Sequence, residues 1–242
     1  MTSAAKFPTI MMRKVVGEMA VRPEVIPFIL ASLAVGVGLT CVLRLFGMPW
    51  GKTVGAGGAV ALILAGYMLY FFRDPERHPP ADPAALVAGA DGTVMSVVER
   101  NEPTFLKTNA VRISIFLSLF DVHVNRAPIE GHIKFLKYYP GKRFFTFEEK
   151  SSEFNQHSSI FIQGPRTSCL VNQIVGPVAR RVVYWLELEQ EVKTGDRIGM
   201  MKFGSRLDMY FPRDDVQVEV KKGDKVRAGE TVVARLKDKA TS

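Results

Sequence analysis

The residues best suited to chemistry in this 242-residue chain are Gly204 and Ser205. A serine that follows a glycine can attack the carbonyl carbon on its own N-terminal side, because glycine has no Cβ to block the hydroxyl and tolerates strained dihedral angles. The attack turns the amide into an ester, and elimination followed by hydrolysis leaves a pyruvoyl group, an electron sink made from protein alone. The alternative is a Gly-Ser pair in an ordinary turn, and the dipeptide by itself does not separate the two.

Two more side chains could help a serine hydroxyl to react. Asp91 lies in an Ala-Asp-Gly segment, where the alternative is a turn-forming aspartate whose carboxylate bonds its own backbone. His123 directly follows a strand-like run and has Asp121, Asn125 and Arg126 as neighbours. A histidine in such polar company at a strand end is expected near solvent and in a functional role, with a core histidine as the alternative.

The composition limits the classes of partner. A formal net charge of +8 is compatible with nucleic acid or an anionic membrane surface, but the chain has no nucleic-acid-binding motif, so we do not expect nucleic-acid binding. No group of His, Cys, Asp and Glu has metal-ligand spacing, and no metal is expected. Cys41 and Cys169 lie in such different settings that a disulfide is not predicted.

The N-terminal part of the chain is predicted to meet a membrane. Two uncharged runs, 25–43 and 53–72, would each span about 28 Å as a helix, close to the hydrocarbon thickness of a bilayer. We predict two transmembrane helices within 25–72, with a cleaved signal peptide and buried core helices as alternatives. Residues 1–24 form a leader, either an interfacial helix or disordered, and residues 73–88 form a proline-rich linker.

The segment 89–242 is predicted to be mainly β. Short runs of β-branched and aromatic residues alternate with glycine, proline and charge. Repeated Gly-Asp steps at 195–196 and 223–224 predict tight turns similar to those of lipoyl and biotinyl carrier domains, which fold as barrel-sandwiches of short strands. We therefore expect a barrel-sandwich-like domain. The same similarity supports a rival function, a membrane-tethered carrier or adaptor domain with its cofactor on Lys202.

Five segments of the chain form an ordered set of motifs: FFRDPER at 71–77, ADG at 90–92, DVHVNRAP at 121–128, GDRIG at 195–199 and FGSR at 203–206. In these segments the chain resembles the phosphatidylserine decarboxylases, and among them the short bacterial and archaeal-type branch of that pyruvoyl-dependent family. The joint occurrence of five motifs in order is far more specific than any one of them.

The resemblance implies an enzyme that first cleaves itself. Cleavage between Gly204 and Ser205 would give a β chain of residues 1–204 and an α chain of residues 205–242, which stay associated. The pyruvoyl cofactor, derived from Ser205, would begin the α chain. The amine of phosphatidylserine would form a Schiff base with its ketone, and loss of CO₂ followed by protonation and hydrolysis would yield phosphatidylethanolamine.

The resemblance also implies roles for other residues. Asp91 and His123 would complete an Asp-His-Ser arrangement with Ser205, and His123 would later protonate the carbanion. Longer members of the family carry an LGST-type cleavage motif and a second histidine, whereas Arg126 stands at that histidine's place here. Arg126 and Asn155 are candidates for binding the substrate.

The implied substrate and partner is an anionic phospholipid in a membrane. The substrate can be phosphatidylserine or archaetidylserine, since the sequence does not distinguish the two. A homo-oligomer is also compatible with the sequence. Lysine and arginine flank the predicted hairpin more heavily than they occur in its connection, so we expect the cell (inner) membrane with the catalytic domain on the cytoplasmic side.

This topology can be tested with a reporter enzyme that is active only outside the cytoplasm. Fused after Ser242, the reporter should be inactive in intact cells, because both ends of the hairpin are expected inside. The matched control carries the same reporter after Gly47, in the connection, and should be active. Activity of the Ser242 fusion would contradict the topology.

Overall fold

The computed structural model divides into two compact units at the bond between Glu76 and Arg77. Most of the predicted leader, residues 1–18, and Phe203 of the FGSR segment lie outside the described residues. The first unit holds the helices, and the second holds the large sheet. The described residues are 19–141, 155–176, 182–202 and 204–237.

The first unit is a helical hairpin flanked by two short strands. The predicted pair of apolar helices is confirmed, but the helices include Arg44 and Lys52, which the prediction placed in the connection. A long basic side chain near a helix end can reach towards water, so a single charge does not end the helix. In chain order the elements are β1 (Met19–Val21), a 3-10 turn (Pro23–Val25), α1 (Ile26–Leu45), α2 (Trp50–Phe71) and β2 (Arg73–Pro75).

Both helical spans are long and apolar enough to cross a membrane. Pro23–Leu45 has a mean hydropathy of 2.3 and Trp50–Phe71 one of 1.8. In each, only 17% of the apolar window is buried, so the part of the chain that the structure describes leaves most of the window uncovered. A buried core helix of a soluble protein would show the opposite pattern.

The two helices approach closely where glycines face each other. A Cβ on Gly57 would lie 2.4 Å from the Gly36 carbonyl oxygen and 2.0 Å from Thr40 Oγ1. Thr40 Oγ1 lies 3.2 Å from the Thr53 carbonyl oxygen of the other helix. Small residues that let two backbones meet, with a hydroxyl between them, are typical of helix pairs in membranes.

The segments on either side of the hairpin pair with each other as β1 and β2. The Arg22 N–H donates to the Phe72 carbonyl at 2.9 Å, and the Arg22 guanidinium lies 3.6 Å from the buried Asp74 carboxylate. This pairing was not predicted, because β1 falls in the predicted leader and β2 in the predicted linker. It brings the two ends of the hairpin to the same side.

The described residues of the second unit form strands and no helix, which confirms the predicted mainly β domain behind a helical hairpin. Its first strand lies inside the predicted linker, so the β structure begins before residue 89. The strands are β3 (Ala85–Val87), β4 (Gly92–Glu102), β5 (Thr108–Leu117), β6 (Val124–Arg126), β7 (Gly131–Tyr139), β8 (His157–Gln163), β9 (Ser168–Val175), β10 (Val182–Tyr184), β11 (Glu191–Val192), β12 (Arg197–Met201), β13 (Ser205–Pro212), β14 (Val216–Val218), β15 (Lys225–Val226) and β16 (Val232–Leu236).

An eight-stranded sheet in the order β11-β7-β8-β9-β13-β5-β4-β15 forms the body of this unit. Two three-stranded sheets, β10-β12-β6 and β14-β16-β3, accompany it. All the pairings are antiparallel, and β13 lies between β9 and β5. Alternate residues of the central strands fill the apolar core, among them Ile113, Ile115, Ile160, Ile162, Val171, Leu207 and Met209.

The two predicted Gly-Asp turns are confirmed. The Asp196 carboxylate accepts a hydrogen bond from the Lys193 N–H at 2.8 Å, and the Asp224 carboxylate accepts one from the Lys221 N–H at 2.9 Å. Each turn leads directly into a strand, β12 in the first case and β15 in the second. The two copies of the sequence repeat therefore form the same hydrogen bond, from a lysine N–H to the carboxylate of the aspartate three residues later.

The close approach of the helices can be tested with two neighbouring substitutions. Gly57→Ala should destabilise the hairpin by about 1–3 kcal/mol, because the added methyl group collides with backbone and Thr40. Gly58→Ala is the matched control: nothing lies within 4 Å of its Cβ position, and alanine favours a helix by about 1 kcal/mol. Loss of the helical circular dichroism signal on heating in detergent measures both, and equal melting of the two variants would contradict the packing.

Candidate active site

Ser205 is the first residue of β13, in the middle of the large sheet. Its backbone lies opposite Leu117 of β5 and Val175 of β9. Its side chain is fully buried, and its Oγ has no hydrogen-bond partner among the residues that the structure describes. An unpaired buried hydroxyl costs about 1–3 kcal/mol, so one kept in a native structure points to a use other than stability.

Gly204 precedes this strand in a left-handed backbone conformation, with a φ of 60°. A residue with a Cβ would pay roughly 1–2 kcal/mol there. No atom lies within 4 Å of the place that a Cβ would take, so the backbone conformation, and not a lack of space, favours glycine. The bond between Gly204 and Ser205 thus joins a left-handed residue to the start of an extended strand.

His123 is fully buried, so the expectation that it lies near solvent was wrong. It lies just before β6, which the neighbouring strand β12 and the core cover. Its Nδ1 is 2.9 Å from the Asp121 carbonyl oxygen. A carbonyl only accepts hydrogen bonds, so Nδ1 carries a proton, and in the neutral form of the ring the lone pair is therefore on Nε2. The Met201 N–H donates to the His123 carbonyl at 3.2 Å, which ties the histidine to the strand that leads to Ser205.

Asp91 lies in the turn between β3 and β4 and holds two parts of the chain together. Its Oδ2 accepts from Arg77 Nη2 at 2.8 Å, and its Oδ1 accepts from the Ala228 N–H at 2.7 Å. The other guanidinium nitrogen of Arg77 donates to Glu230 at 2.8 Å. Arg77 thus binds two carboxylates, and that of Asp91 is the more buried: its side chain is 13% exposed, against 30% for Glu230.

The two candidates for substrate binding are buried beside backbone acceptors. Arg126 ends β6, and its Nη1 donates to the Gly195 carbonyl at 2.8 Å, in the first Gly-Asp turn. Asn155 Nδ2 donates to the Val175 carbonyl at 3.1 Å, and Val175 is the residue opposite Ser205. Asn155 thus fixes backbone next to Ser205, Arg126 fixes the first Gly-Asp turn, and the binding of substrate by either residue stays a prediction.

Sequence analysis missed the buried polar residues on the opposite face of β13. Arg206 Nε donates to the Asp208 carboxylate at 2.7 Å, and its Nη2 donates to Ser114 Oγ at 2.9 Å. Further along the strand, burial and then the Asp208 charge raise the pKa of Tyr210, against the lowering effect of Arg112. Their one signal in the sequence is the alternation of Arg206, Asp208 and Tyr210 with apolar residues, which marks a strand but normally indicates a solvated face.

A second group that sequence analysis missed lies on the core face. Asn125 and Gln173 are both fully buried although they carry polar amides. They are 48 residues apart in the chain, so no local pattern joins them. Within the described residues there is no group of three or more His, Cys, Asp or Glu side chains that could hold a metal ion.

Comparison with known proteins identifies the class. Residues 64–234 match the model of the phosphatidylserine decarboxylase family. The phosphatidylserine decarboxylase proenzyme of Carboxydothermus hydrogenoformans is 44% identical over 180 residues, which cover 74% of this chain and 84% of the relative. The proenzyme of the same name from Salinibacter ruber is 46% identical over 185 residues, 74% of this chain and 81% of the relative. That of Symbiobacterium thermophilum is 39% identical over 211 residues, 87% and 93% of the two chains.

The mainly β fold and these relatives define an enzyme of the decarboxylase class. The chain belongs to the phosphatidylserine decarboxylase family. The rival interpretation as a carrier domain has no support in these comparisons. Lys202, its proposed attachment point, lies in the short link between β12 and β13.

The two carboxylates on Arg77 allow a matched test of stability. Asp91→Asn should lower the free energy of unfolding by about 1–3 kcal/mol, because the nearly buried Arg77 guanidinium loses the more buried of its two charged partners. Glu230→Gln, on the same arginine but more exposed, should cost less than about 1 kcal/mol. Denaturant unfolding followed by tryptophan fluorescence measures both, and a larger cost for Glu230→Gln would overturn the ranking.

Proposed function

We propose that the chain is a proenzyme that cleaves itself between Gly204 and Ser205 and then converts phosphatidylserine to phosphatidylethanolamine. The single observation that carries this proposal is the buried, unpaired hydroxyl of Ser205 behind a left-handed Gly204. The names of the relatives, each a decarboxylase proenzyme, support both the activity and the processing.

The base that activates Ser205 is His123. A serine hydroxyl is a weak nucleophile until a base takes its proton. The bond from Nδ1 to the Asp121 carbonyl supports this role, because it leaves the lone pair of Nε2 to accept the proton. Asp91 is the carboxylate assigned to this arrangement: its bonds to Arg77 and the Ala228 N–H fix the turn before β4, while the Asp121 backbone carbonyl, and not a carboxylate, accepts the Nδ1–H of His123.

The cleavage balances with one water consumed and one ammonia released. Ser205 Oγ bonds to the Gly204 carbonyl carbon, the C–N bond breaks, and an ester forms. Loss of the Ser205 Cα proton expels the Gly204 carboxylate and leaves a dehydroalanine. Its imine tautomer takes up water and releases ammonia, which leaves the pyruvoyl group at residue 205.

The residues around Ser205 would hold the cofactor made from it. When formed, the pyruvoyl group supplies a ketone that captures the substrate amine and an electron sink for the carbanion left by loss of CO₂. His123 no longer has a hydroxyl to deprotonate and becomes the proton donor to that carbanion. Arg126 and Asn155 bind substrate or fix the backbone that does so.

The two chains stay associated because the strands of the smaller chain pair with those of the larger. In the ladder register, β13 pairs along one edge with β5 and along the other with β9. β15 pairs with β4, and β16 pairs with β3. A cut before β13 removes none of these ladders, so the products do not separate.

The helical hairpin anchors the enzyme in the cell membrane, the inner one where there are two, with the second unit on the cytoplasmic side. The two apolar spans support an anchor, and the basic flanks support the side. An enzyme tethered in this way meets a lipid headgroup without taking the lipid into water. Basic residues near the surface favour anionic lipid by about 1 kcal/mol each.

Intact-mass measurement combined with an activity assay tests this function. The wild-type protein should consist of two chains, 1–204 and a pyruvoyl-initiated 205–242, and should release CO₂ from phosphatidylserine in mixed micelles. Ser205→Ala should be one uncut, inactive chain, because no hydroxyl can attack Gly204. Ser168→Ala, at the start of β9, is the matched control and should be cut and active.

His123→Ala extends this test to the proposed base. It should remain uncut, because no other group is assigned to take the proton from Ser205. An active wild-type enzyme that is a single uncut chain would refute the self-cleavage. A cut but inactive His123→Ala protein would leave His123 with the later protonation alone.

A further inference from the structure

Asn125 and Gln173 form a buried amide pair. Gln173 Nε2 donates to Asn125 Oδ1 at 2.7 Å, and both side chains have no exposed surface. Asn125 Nδ2 and Gln173 Oε1 have no hydrogen-bond partner among the described residues. The bond within the pair uses one amide nitrogen and one amide oxygen. The second nitrogen, Asn125 Nδ2, can still donate to a ligand, and the second oxygen, Gln173 Oε1, can still accept from one.

The pair has one unpaired donor nitrogen and one unpaired acceptor oxygen in either orientation of its amides. If both amides are turned over, Asn125 donates to Gln173, and the pair again leaves one acceptor and one donor over. Each unpaired buried polar atom has lost its hydrogen bonds to water without replacement, and two apolar side chains of the same shape would avoid that cost. Such a pair is suited to a ligand that offers both a donor and an acceptor.

Sheet register brings the pair close to Ser205. Gln173 lies opposite Leu207 in the ladder between β9 and β13, and the next outward residue of β9 on that face, Val175, lies opposite Ser205. Gln173 and Ser205 are therefore diagonal neighbours on one face, which in an antiparallel sheet means about 7–8 Å.

Asn125 reaches the same region from the smaller sheet. It lies opposite Gly199 of β12, and a Cβ on Gly199 would be only 3.0 Å from Gln173 Nε2. Side chains alternate along a strand, so His123, two residues before Asn125, projects to the same side. The amide pair is thus placed with the candidate base and with Ser205.

A third unpaired group adjoins the pair. Ser158 of β8 lies opposite Gln173 of β9, and its hydroxyl is fully buried with no partner among the described residues. The core face of the sheet is apolar further along these strands, where Ile160 and Leu207 belong to the hydrophobic cluster. The unpaired polar groups are therefore concentrated at the Ser205 end of this face.

We propose that the Asn125–Gln173 pair binds the serine headgroup of the substrate, an inference that rests on the proposed function. The headgroup carries a carboxylate, which accepts hydrogen bonds, and an amine, which donates them, on one carbon atom. The donor left over on the pair binds the carboxylate, and the acceptor binds the amine before it reacts. The decarboxylated product lacks the carboxylate and loses one of the two bonds.

A neutral amide is a better binding group than a cation for the substrate carboxylate that leaves as CO₂. The carboxylate must lose its charge as CO₂ departs, while negative charge moves towards the electron sink. A guanidinium bonded to it would stabilise the starting state more than the transition state and would slow the reaction. An amide N–H orients the carboxylate with a weaker field. Residue alternation also directs Arg126 to the other side of β6 from Asn125.

Two shape-conserving substitutions test the pair. Gln173→Met removes, at nearly constant volume, both the unpaired acceptor and the donor to Asn125, and Asn125→Asp replaces a donor with a repelling carboxylate. Both proteins should be cut into two chains as the wild type is. Both should show kcat/KM for phosphatidylserine in mixed micelles reduced by about tenfold to a hundredfold, because one hydrogen bond to a charged group is lost. Asn172→Leu, the neighbouring residue on the opposite face of β9, is the control and should stay within about twofold of wild type.

Inhibition by headgroup fragments separates binding from a merely structural role. Wild-type enzyme should be inhibited by O-phospho-L-serine at least about tenfold more strongly than by phosphoethanolamine, and both variants should lose this preference. Cut variants with wild-type kcat/KM and an unchanged preference would overturn the proposal. Variants that stay uncut would also overturn the proposal, because that result would show that the amide pair is needed for self-cleavage. An uncut or inactive wild-type protein would instead refute the proposed function itself.

Discussion

The structure depends on a strand that is hydrogen-bonded along both edges from its first residue. Ser205 opens β13 opposite residues of β5 and β9, so the atoms of its backbone are held by two neighbours from the point where the strand begins. Gly204, just outside the ladders, takes the left-handed conformation that lets the chain enter the sheet. A rigid strand next to a conformationally unusual residue fixes where the hydroxyl and the preceding carbonyl lie. This positioning is what an intramolecular attack requires.

The two faces of β13 have different tasks. On one face Leu207 and Met209 belong to the apolar core and Ser205 is buried beside them, so the end of the strand that carries Ser205 is continuous with the interior of the domain. On the other face Arg206 and Asp208 form a buried ion pair. Replacing a buried ion pair with apolar residues is often neutral or stabilising, so the pair is not explained by stability alone. It does fix the register of the strand, since Arg206 also bonds Ser114 of β5.

The two units differ in the kind of surface and of buried group that they contain. The hairpin contains the apolar surface that a bilayer would cover, and its helices meet through glycines where no side chain could fit. On the core face of the β unit the unpaired buried polar groups, which are expensive to bury, lie at the end of the sheet that carries Ser205. Asp91, in the turn between β3 and β4, bonds Arg77 at the start of this unit. This bond connects the first residues of the unit to the beginning of β4, where Gly92 pairs with β15.

Local patterns in the sequence determined the apolar hairpin, the mainly β domain and the Gly-Asp turns, and they offered Gly204–Ser205 as a candidate for self-cleavage. Each depends on hydropathy, periodicity or backbone chemistry within a few residues. Tertiary structure decided the rest. It buried His123, paired β1 with β2 across the hairpin, and joined Asn125 to Gln173. These features arise between segments far apart in the chain, where strand order and register, not local composition, decide which polar groups meet.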